Sequence, residues 1–232
     1  TVTDLRQTRE LCDKFGAYLV VDAVHFAAHF PLDVTTLGVD FLLCSAYKFY
    51  GPHIGILYSR SGLLDRIDTD HLSTAKGLAP HRIETGTLNH AAIAGVKACI
   101  DYISQWGHGN TRRAKIVSAM NALHHYEIDL AKYYYERVNG LPRVRVWGPC
   151  FDARARAPTV SISLDNQTPE HIATALGQEG LQVWHGHFYA RKVLEVLGLV
   201  ESGGLLRVGM SMYNTRAEID RLLNALERLT VI

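Results

Sequence analysis

The chain has 232 residues, 24 Lys and Arg against 23 Asp and Glu, a formal net charge of +1, and 47% hydrophobic residues. That composition excludes a disordered or low-complexity segment, and the balanced charge supplies no field to draw in nucleic acid or an anionic membrane surface. No apolar run approaches the roughly 20 residues of a membrane-spanning helix. The four cysteines, Cys12, Cys44, Cys99 and Cys150, form no CxxC pair; this argues against a zinc ribbon or a disulfide scaffold and fits a reducing, cytoplasmic compartment. The chain opens on Thr1 without an initiator Met or a signal peptide, as expected of part of a longer protein.

The first hundred residues alternate helical and extended patterns. Thr3 is placed to cap a helix from Asp4 to about Lys14, stopped at Gly16. Ala17–Asp22 is a short apolar, β-branched run, which predicts a strand buried on both faces. Asp40–Ser45 and Ile54–Tyr58 predict two more strands, the last just after Gly51-Pro52. Ile93–Trp106 has helical periodicity and ends at Gly107. A long helix follows Asn110 and runs to about Val138, closed by Asn139-Gly140 and Pro142. Beyond it, strands are predicted at Val144–Trp147, Thr159–Leu164, Gln182–Trp184 and Leu205–Ser211. Helices are predicted to start near Thr168, with Pro169 in first position, and near Thr215, where Glu218 completes a capping box. The expected fold is α/β: a mixed, mostly parallel sheet in a large domain over residues 1–107, a connecting long helix over 108–139, and a small C-terminal domain over 140–232.

Two residues stand out chemically. Asp22 ends one predicted strand, and Lys48 follows another within Ser45-Ala46-Tyr47-Lys48-Phe49-Tyr50-Gly51-Pro52. Strand ends on one edge of an α/β sheet are where such folds place ligands. A lysine enclosed by aromatic and small residues has its amine pushed toward the neutral form, which attacks a carbonyl to make a Schiff base. An Asp in the same pocket suits the protonated ring nitrogen of pyridoxal phosphate. The alternative is a lysine snorkelling from a strand end and an aspartate capping a turn.

The segment Tyr18–Tyr58 resembles the class V aminotransferase family of pyridoxal-phosphate enzymes, which includes cysteine desulfurases and selenocysteine lyases. The resemblance lies in Asp22-Ala23-Val24-His25 and in Ser45-x-x-Lys48 followed by an aromatic residue and Gly51-Pro52. It continues in Arg82-Ile83-Glu84-Thr85-Gly86-Thr87-Leu88-Asn89 and in Leu206-Arg207-Val208-Gly209-Met210-Ser211 through Thr215. It implies pyridoxal 5′-phosphate as cofactor, held by Lys48 as an internal aldimine that acts at the α carbon of an amino acid. Asp22 would hold the pyridinium proton, His25 the ring hydroxyl and Ser45 the phosphate. Thr87 would reach the phosphate of a neighbouring subunit, making the active site a property of a homodimer. Arg207 would bind the substrate carboxylate, with His187 beside the substrate. Taken singly, Ser45 and Thr87 read as turn caps, His25 as a core histidine and Arg207 as half of an ion pair; their joint order is what raises them above that.

The sequence departs from the desulfurase pattern in three places. Val183-Trp184-His185-Gly186-His187-Phe188-Tyr189-Ala190 has Tyr189 where the sulfur-accepting cysteine is expected. A phenol of pKa about 10 does not replace a thiolate nucleophile, so persulfide chemistry is not expected here. Transamination, epimerisation and eliminations that need no cysteine are left open. Tyr47 stands where desulfurases commonly have His, and Trp184 where many relatives have Arg. Family members also carry a segment upstream of the part matched here that contributes to the cofactor pocket, so this stretch alone is expected to bind the cofactor weakly. The His pairs at 185 and 187, 25 and 29, and 124 and 125 lack the companion ligands of a zinc site, and no metal is expected. No Gly-x-Gly-x-x-Gly or phosphate-loop motif is present. The competing non-enzyme expectation is a truncated or degenerate relative serving as a dimerisation module.

Overall fold

A computed structural model describes residues 1–231, which divide into two compact units, one spanning Thr3–Ala122 and the other Thr1–Val2 with the chain from Leu123 onward. In the first unit, helix α1 (Leu5–Phe15) is capped by Asp4, whose carboxylate accepts from the Gln7 N–H at 3.0 Å, and it ends at Gly16 in the left-handed conformation. The cap is thus one residue later than Thr3, because an Asp in extended backbone satisfies the orphan N–H groups of the first turn equally well. Strand β1 (Val20–Asp22), the short helices α2 (Phe26–His29) and α3 (Val34–Leu37), and strands β2 (Phe41–Ser45) and β3 (Gly55–Ser59) follow. Helix α4 (His90–Ser104) is capped by Asn89, which accepts from the Ala92 N–H at 3.0 Å.

The sheet order is β1-β2-β3, with β1 parallel to β2 and β3 antiparallel to it. The register puts Val21, Leu42, Cys44 and Tyr58 on one face; Val21, Leu42 and Tyr58 pack with Leu19, Ala23 and Val39, and Cys44 packs with Ala46 and Phe49. The opposite face presents Val20, Asp22, Leu43 and Leu57. Val20 is 57% exposed, so β1 is covered on one face rather than on two as its apolar run suggested. Side chains alternate across a strand, and the described residues supply one packed layer.

Helix α5 (Arg112–Asn139) runs through the division, with Ala119 and Met120 in a core of the first unit and Leu130, Ala131, Tyr134 and Val138 in the core of the second. The second unit continues with β4 (Val144–Trp147), β5 (Thr159–Leu164), α6 (Pro169–Gln178), β6 (Trp184–Gly186), α7 (Arg191–Leu197), β7 (Leu205–Gly209) and α8 (Arg216–Thr230). Its sheet has the order β4-β5-β7-β6, antiparallel throughout. Val160, Ile162, Leu164, Leu206 and Val208 line the buried face, against α6 and α8 residues such as Ile172, Leu176, Ile219 and Leu226. Thr168 caps α6, and the capping box of Thr215 and Glu218 starts α8. α7 has no counterpart among the sequence expectations. Ala190 offers no capping side chain, and Leu194 is its one buried residue, so neither a start signal nor an apolar stripe marks it.

Tyr134 lies fully buried in this core, and its hydroxyl has no hydrogen-bond partner among the described residues. Burial pushes its phenol pKa far up. A buried polar atom without a partner carries its desolvation cost uncompensated. Tyr134→Phe is therefore expected to stabilise the protein by about 1 kcal/mol, read as a higher midpoint in urea or thermal unfolding; a lower midpoint would mean the hydroxyl is satisfied.

Candidate active site

Lys48 sits on a 3₁₀ turn (Ala46–Phe49) that leaves the carboxyl end of β2. In such a turn residues i and i+3 share a side. Ala46 and Phe49 are buried, and Tyr47 and Lys48 are turned outward. Lys48 is therefore exposed rather than enclosed as the surrounding aromatic residues suggested. The turn is closed by the Ala46 N–H to the Ile54 carbonyl (2.9 Å) and the Gly51 N–H to the Ala46 carbonyl (2.8 Å). A Cβ on Gly51 would lie 3.0 Å from both the Cβ and the carbonyl oxygen of Ala46, which leaves room only for glycine. From α4, the Cys99 thiol donates to the Phe49 carbonyl at 2.8 Å, and Gly95 lets Pro52 pack closely. The backbone that carries the lysine is thus pinned on two sides while its side chain remains in water.

The Lys48 ammonium lies 5.2 Å from the centroid of the Tyr47 ring, which is stacked on His53 at 4.6 Å with planes 5° apart. Among the described residues Lys48 makes no ion pair, so its amine is not committed to a carboxylate. Asp22 ends β1 in register with Leu43, and Ser45 lies two residues further along β2 on the same face. One Asp22 oxygen accepts from the Val24 N–H at 2.9 Å. His25 follows at the start of α2, its ring edge-on to His29 at 5.1 Å. Asp22, His25, Ser45 and Lys48 therefore gather at the carboxyl ends of two adjacent parallel strands, where α/β sheets bind ligands. Thr87 lies in the exposed stretch before α4 and bonds to none of them. Arg82, in the same sequence block, is structural: its guanidinium donates to the carbonyls of Leu64, Asp65 and Ile67.

Arg207 and His187 belong to the second unit. Arg207 projects from the open face of its sheet, in register with Ser161 on one side and Trp184 on the other. Its guanidinium lies 4.6 Å from the centroid of Phe188, and loss of hydration pulls its pKa down from the ordinary arginine value. No carboxylate among the described residues pairs with it. Phe188 and Tyr189 both adopt left-handed backbone, with φ of 52° and 60°, between the His187 carbonyl and the Ala190 N–H that donates to it at 2.7 Å. This is the geometry of a turn that normally takes Asn and Gly, and an aromatic residue there costs roughly 1 kcal/mol or more. The Tyr189 N–H donates to His187 Nδ1 at 3.1 Å, which fixes the proton of the neutral imidazole on Nε2. Trp184, His185, His187 and Tyr189 line a cleft of about 580 Å³ beside this turn, with Glu170 and Glu201 at its rim. Nothing local in the sequence announces two aromatic residues in left-handed backbone, so the place of Phe188 emerges only in the fold.

A phosphorylated pyridine aldehyde requires an amine for its carbonyl, a carboxylate for its ring nitrogen and hydroxyl or imidazole groups for its oxygens. The set at the first sheet supplies each of these, and the Lys48 amine and Ser45 hydroxyl are not consumed by contacts among the described residues. Burial pushes the Cys44 and Cys99 thiols up, Cys150 is exposed, and none of the four cysteines lies in the 183–190 stretch. No group of three or more His, Cys, Asp or Glu side chains among the described residues is arranged to hold a metal ion. No helix among them is long and apolar enough to cross a membrane.

The family described as aminotransferase class-V matches residues 1–222. A probable cysteine desulfurase from Synechocystis is 28% identical over 97% of this chain and 53% of its own length. A cysteine desulfurase from Klebsiella pneumoniae is 31% identical over 94% of this chain and 52% of its own. Among solved structures, the apo cysteine desulfurase of Thermococcus onnurineus superposes with a TM-score of 0.85 at 26% identity, covering 98% of this chain and 56% of that one. A cysteine desulfurase from Escherichia coli gives a TM-score of 0.83 at 25% identity, covering all of this chain and 56% of that one. The chain thus spans about half the length of the curated relatives it matches. Class-V aminotransferases depend on pyridoxal phosphate, and over nearly its whole length this chain belongs to the class-V aminotransferase family.

Proposed function

We propose that the protein containing this chain is a pyridoxal-phosphate enzyme that acts at the α carbon of an amino acid, with Lys48 as the residue that holds the cofactor. The observation that carries this is the uncommitted Lys48 amine on a pinned turn, at the same sheet edge as Asp22 and Ser45. When bound, the cofactor supplies an electron sink for the pair released at the substrate α carbon. Asp22 would hold the ring-nitrogen proton, His25 would bond the ring hydroxyl, and Ser45 would donate to the phosphate. The Lys48 amine would be the base that takes the proton from the substrate α carbon. Arg207 binds the substrate carboxylate through its planar fork, with His187 beside it.

Thr87, exposed and without a side-chain hydrogen bond, is the residue we assign to the cofactor phosphate of a second subunit, which makes the active unit a homodimer. The compartment we propose is the cytoplasm. With Tyr189 in the loop and two of the four thiols buried, the reaction is one that needs no cysteine nucleophile: amino transfer, epimerisation or an elimination.

The test is to incubate the full-length protein with pyridoxal phosphate, reduce with borohydride and map the peptides. A pyridoxyl mass increment on the Lys48 peptide is expected; its absence would leave a non-catalytic dimerisation module as the better description. Arg207→Ala is expected to weaken amino-acid binding by about 2 kcal/mol, the loss of a charge-assisted fork partly open to water. Arg207→Lys is expected to recover only part of it, since an ammonium cannot make the two parallel bonds. Equilibrium titration of the cofactor-loaded protein with amino acids reads both, and equal affinities in all three proteins would remove Arg207 from the site.

A further inference from the structure

We propose that Phe188 is a positioning residue for Arg207, holding the guanidinium flat with one face dry so that only its in-plane N–H fork faces a carboxylate; this rests on Arg207 being the carboxylate anchor. Four observations point to it. The ring centroid lies 4.6 Å from the Arg207 guanidinium carbon, within cation–π range. Arg207 has no carboxylate partner among the described residues, so the ring is what holds it. The ring is brought there by an unfavourable backbone: Phe188 and Tyr189 occupy the two central positions of a turn, both with positive φ. Finally, the turn is pinned from within, by the Ala190 N–H on the His187 carbonyl and the Tyr189 N–H on His187 Nδ1.

Strain of this kind persists where the surrounding structure over-determines it, and here what it achieves is the placement of one aromatic ring on one cation. Tyr189 meets the His187 ring edge-on at 6.1 Å yet stays 98% exposed, so the turn is not shaped to bury Tyr189. A guanidinium presents two faces and an edge, and a carboxylate bonds best to the edge. Covering a face removes water that would otherwise compete, without blocking the fork. His187 then acts on the anchor through the turn, by fixing the backbone that aims Phe188.

The experiment uses the full-length protein and phenylglyoxal, an arginine-selective reagent, with labelling of Arg207 followed by peptide mass. Phe188→Ala is expected to raise the labelling rate of Arg207 at least threefold. Arg145, stacked on Trp147 in the same unit, serves as internal control and is expected to keep its rate. Phe188→Gly removes the ring and relieves the strained φ together, so it guards against misfolding and is expected to match Phe188→Ala. Phe188→Tyr, which retains an aromatic face, is expected to restore the wild-type rate.

Protection by L-alanine supplies the second readout. In the wild type it is expected to slow labelling of Arg207, and in Phe188→Ala about tenfold more is expected to be needed. An unchanged Arg207 rate in both Phe188→Ala and Phe188→Gly would overturn the positioning role. Failure of L-alanine to protect the wild type, with the Phe188 dependence intact, would instead sink the carboxylate role of Arg207 and leave the stack standing.

Discussion

Lys48→Ala is expected to abolish the borohydride-fixed pyridoxyl label completely and to remove any visible absorbance gained on adding pyridoxal phosphate. The lysine supplies the one amine at the sheet edge that carries Asp22 and Ser45, and no other described residue offers a primary amine on that turn. Lys48→Arg is expected to fail as completely, because a guanidinium stays protonated and is no nucleophile toward an aldehyde. Loss of fold would not account for either result. Lys48 is exposed and makes no ion pair, and its approach to the Tyr47 ring is worth about 0.5–1 kcal/mol at such a site. Both variants should therefore unfold within roughly 1 kcal/mol of the wild type, a separation that urea titration checks directly. Label appearing on another lysine in Lys48→Ala, at the wild-type rate and stoichiometry, would displace Lys48 from the role.

The elements that alternation encodes were readable residue by residue. In β5, Val160, Ile162 and Leu164 face the core while Ser161 and Ser163 do not, and the strand has the predicted bounds. The start of α8 was equally legible, since Thr215 and Glu218 satisfy each other's backbone within one turn. What escaped depends on partners distant in sequence. The apolar run ending at Asp22 could not say whether one sheet face or both would be covered, and Val20 proved open. The exposure of Lys48 follows from which side of a 3₁₀ turn packs inward, a matter decided by Ala46 and Phe49 meeting the core. That Asp22 and Ser45 share a face is a consequence of β1–β2 register, which the chain does not declare locally. The same holds for the stack of His53 on Tyr47 and for the hold of Cys99 on Phe49, where a residue 50 positions away fixes the backbone beside the lysine.

Asp40 is where the largest loss of stability is expected, at the end of β2 opposite Lys48. Its side chain is 2% exposed and meets the Arg9 and Arg60 guanidinium groups, each at 2.8 Å. It also accepts from the Leu19 N–H at 2.7 Å. One carboxylate thereby ties α1, the entrance to β1 and the exit of β3 to the start of β2. Burial alone would raise its pKa, but the Leu19 N–H and the two guanidinium groups outweigh burial and hold the carboxyl below its usual range. Asp40→Ala leaves a buried N–H without an acceptor and the Arg60 guanidinium without a partner, while Arg9 keeps Asp13 at 2.6 Å. The cost is expected at about 3 kcal/mol, the low end for breaking a buried pair, because Arg60 can turn to water. The sign of the pH dependence follows from the depressed pKa. The unfolded chain takes up the proton first as pH falls, so the contribution of Asp40 is full above about pH 4–5 and is lost progressively below that as pH approaches the folded-state value. The gap between wild type and Asp40→Ala in urea unfolding should therefore be wide at pH 7 and narrower at pH 3. A gap of equal size at both values would mean that Asp40 holds the unit together by shape rather than by charge.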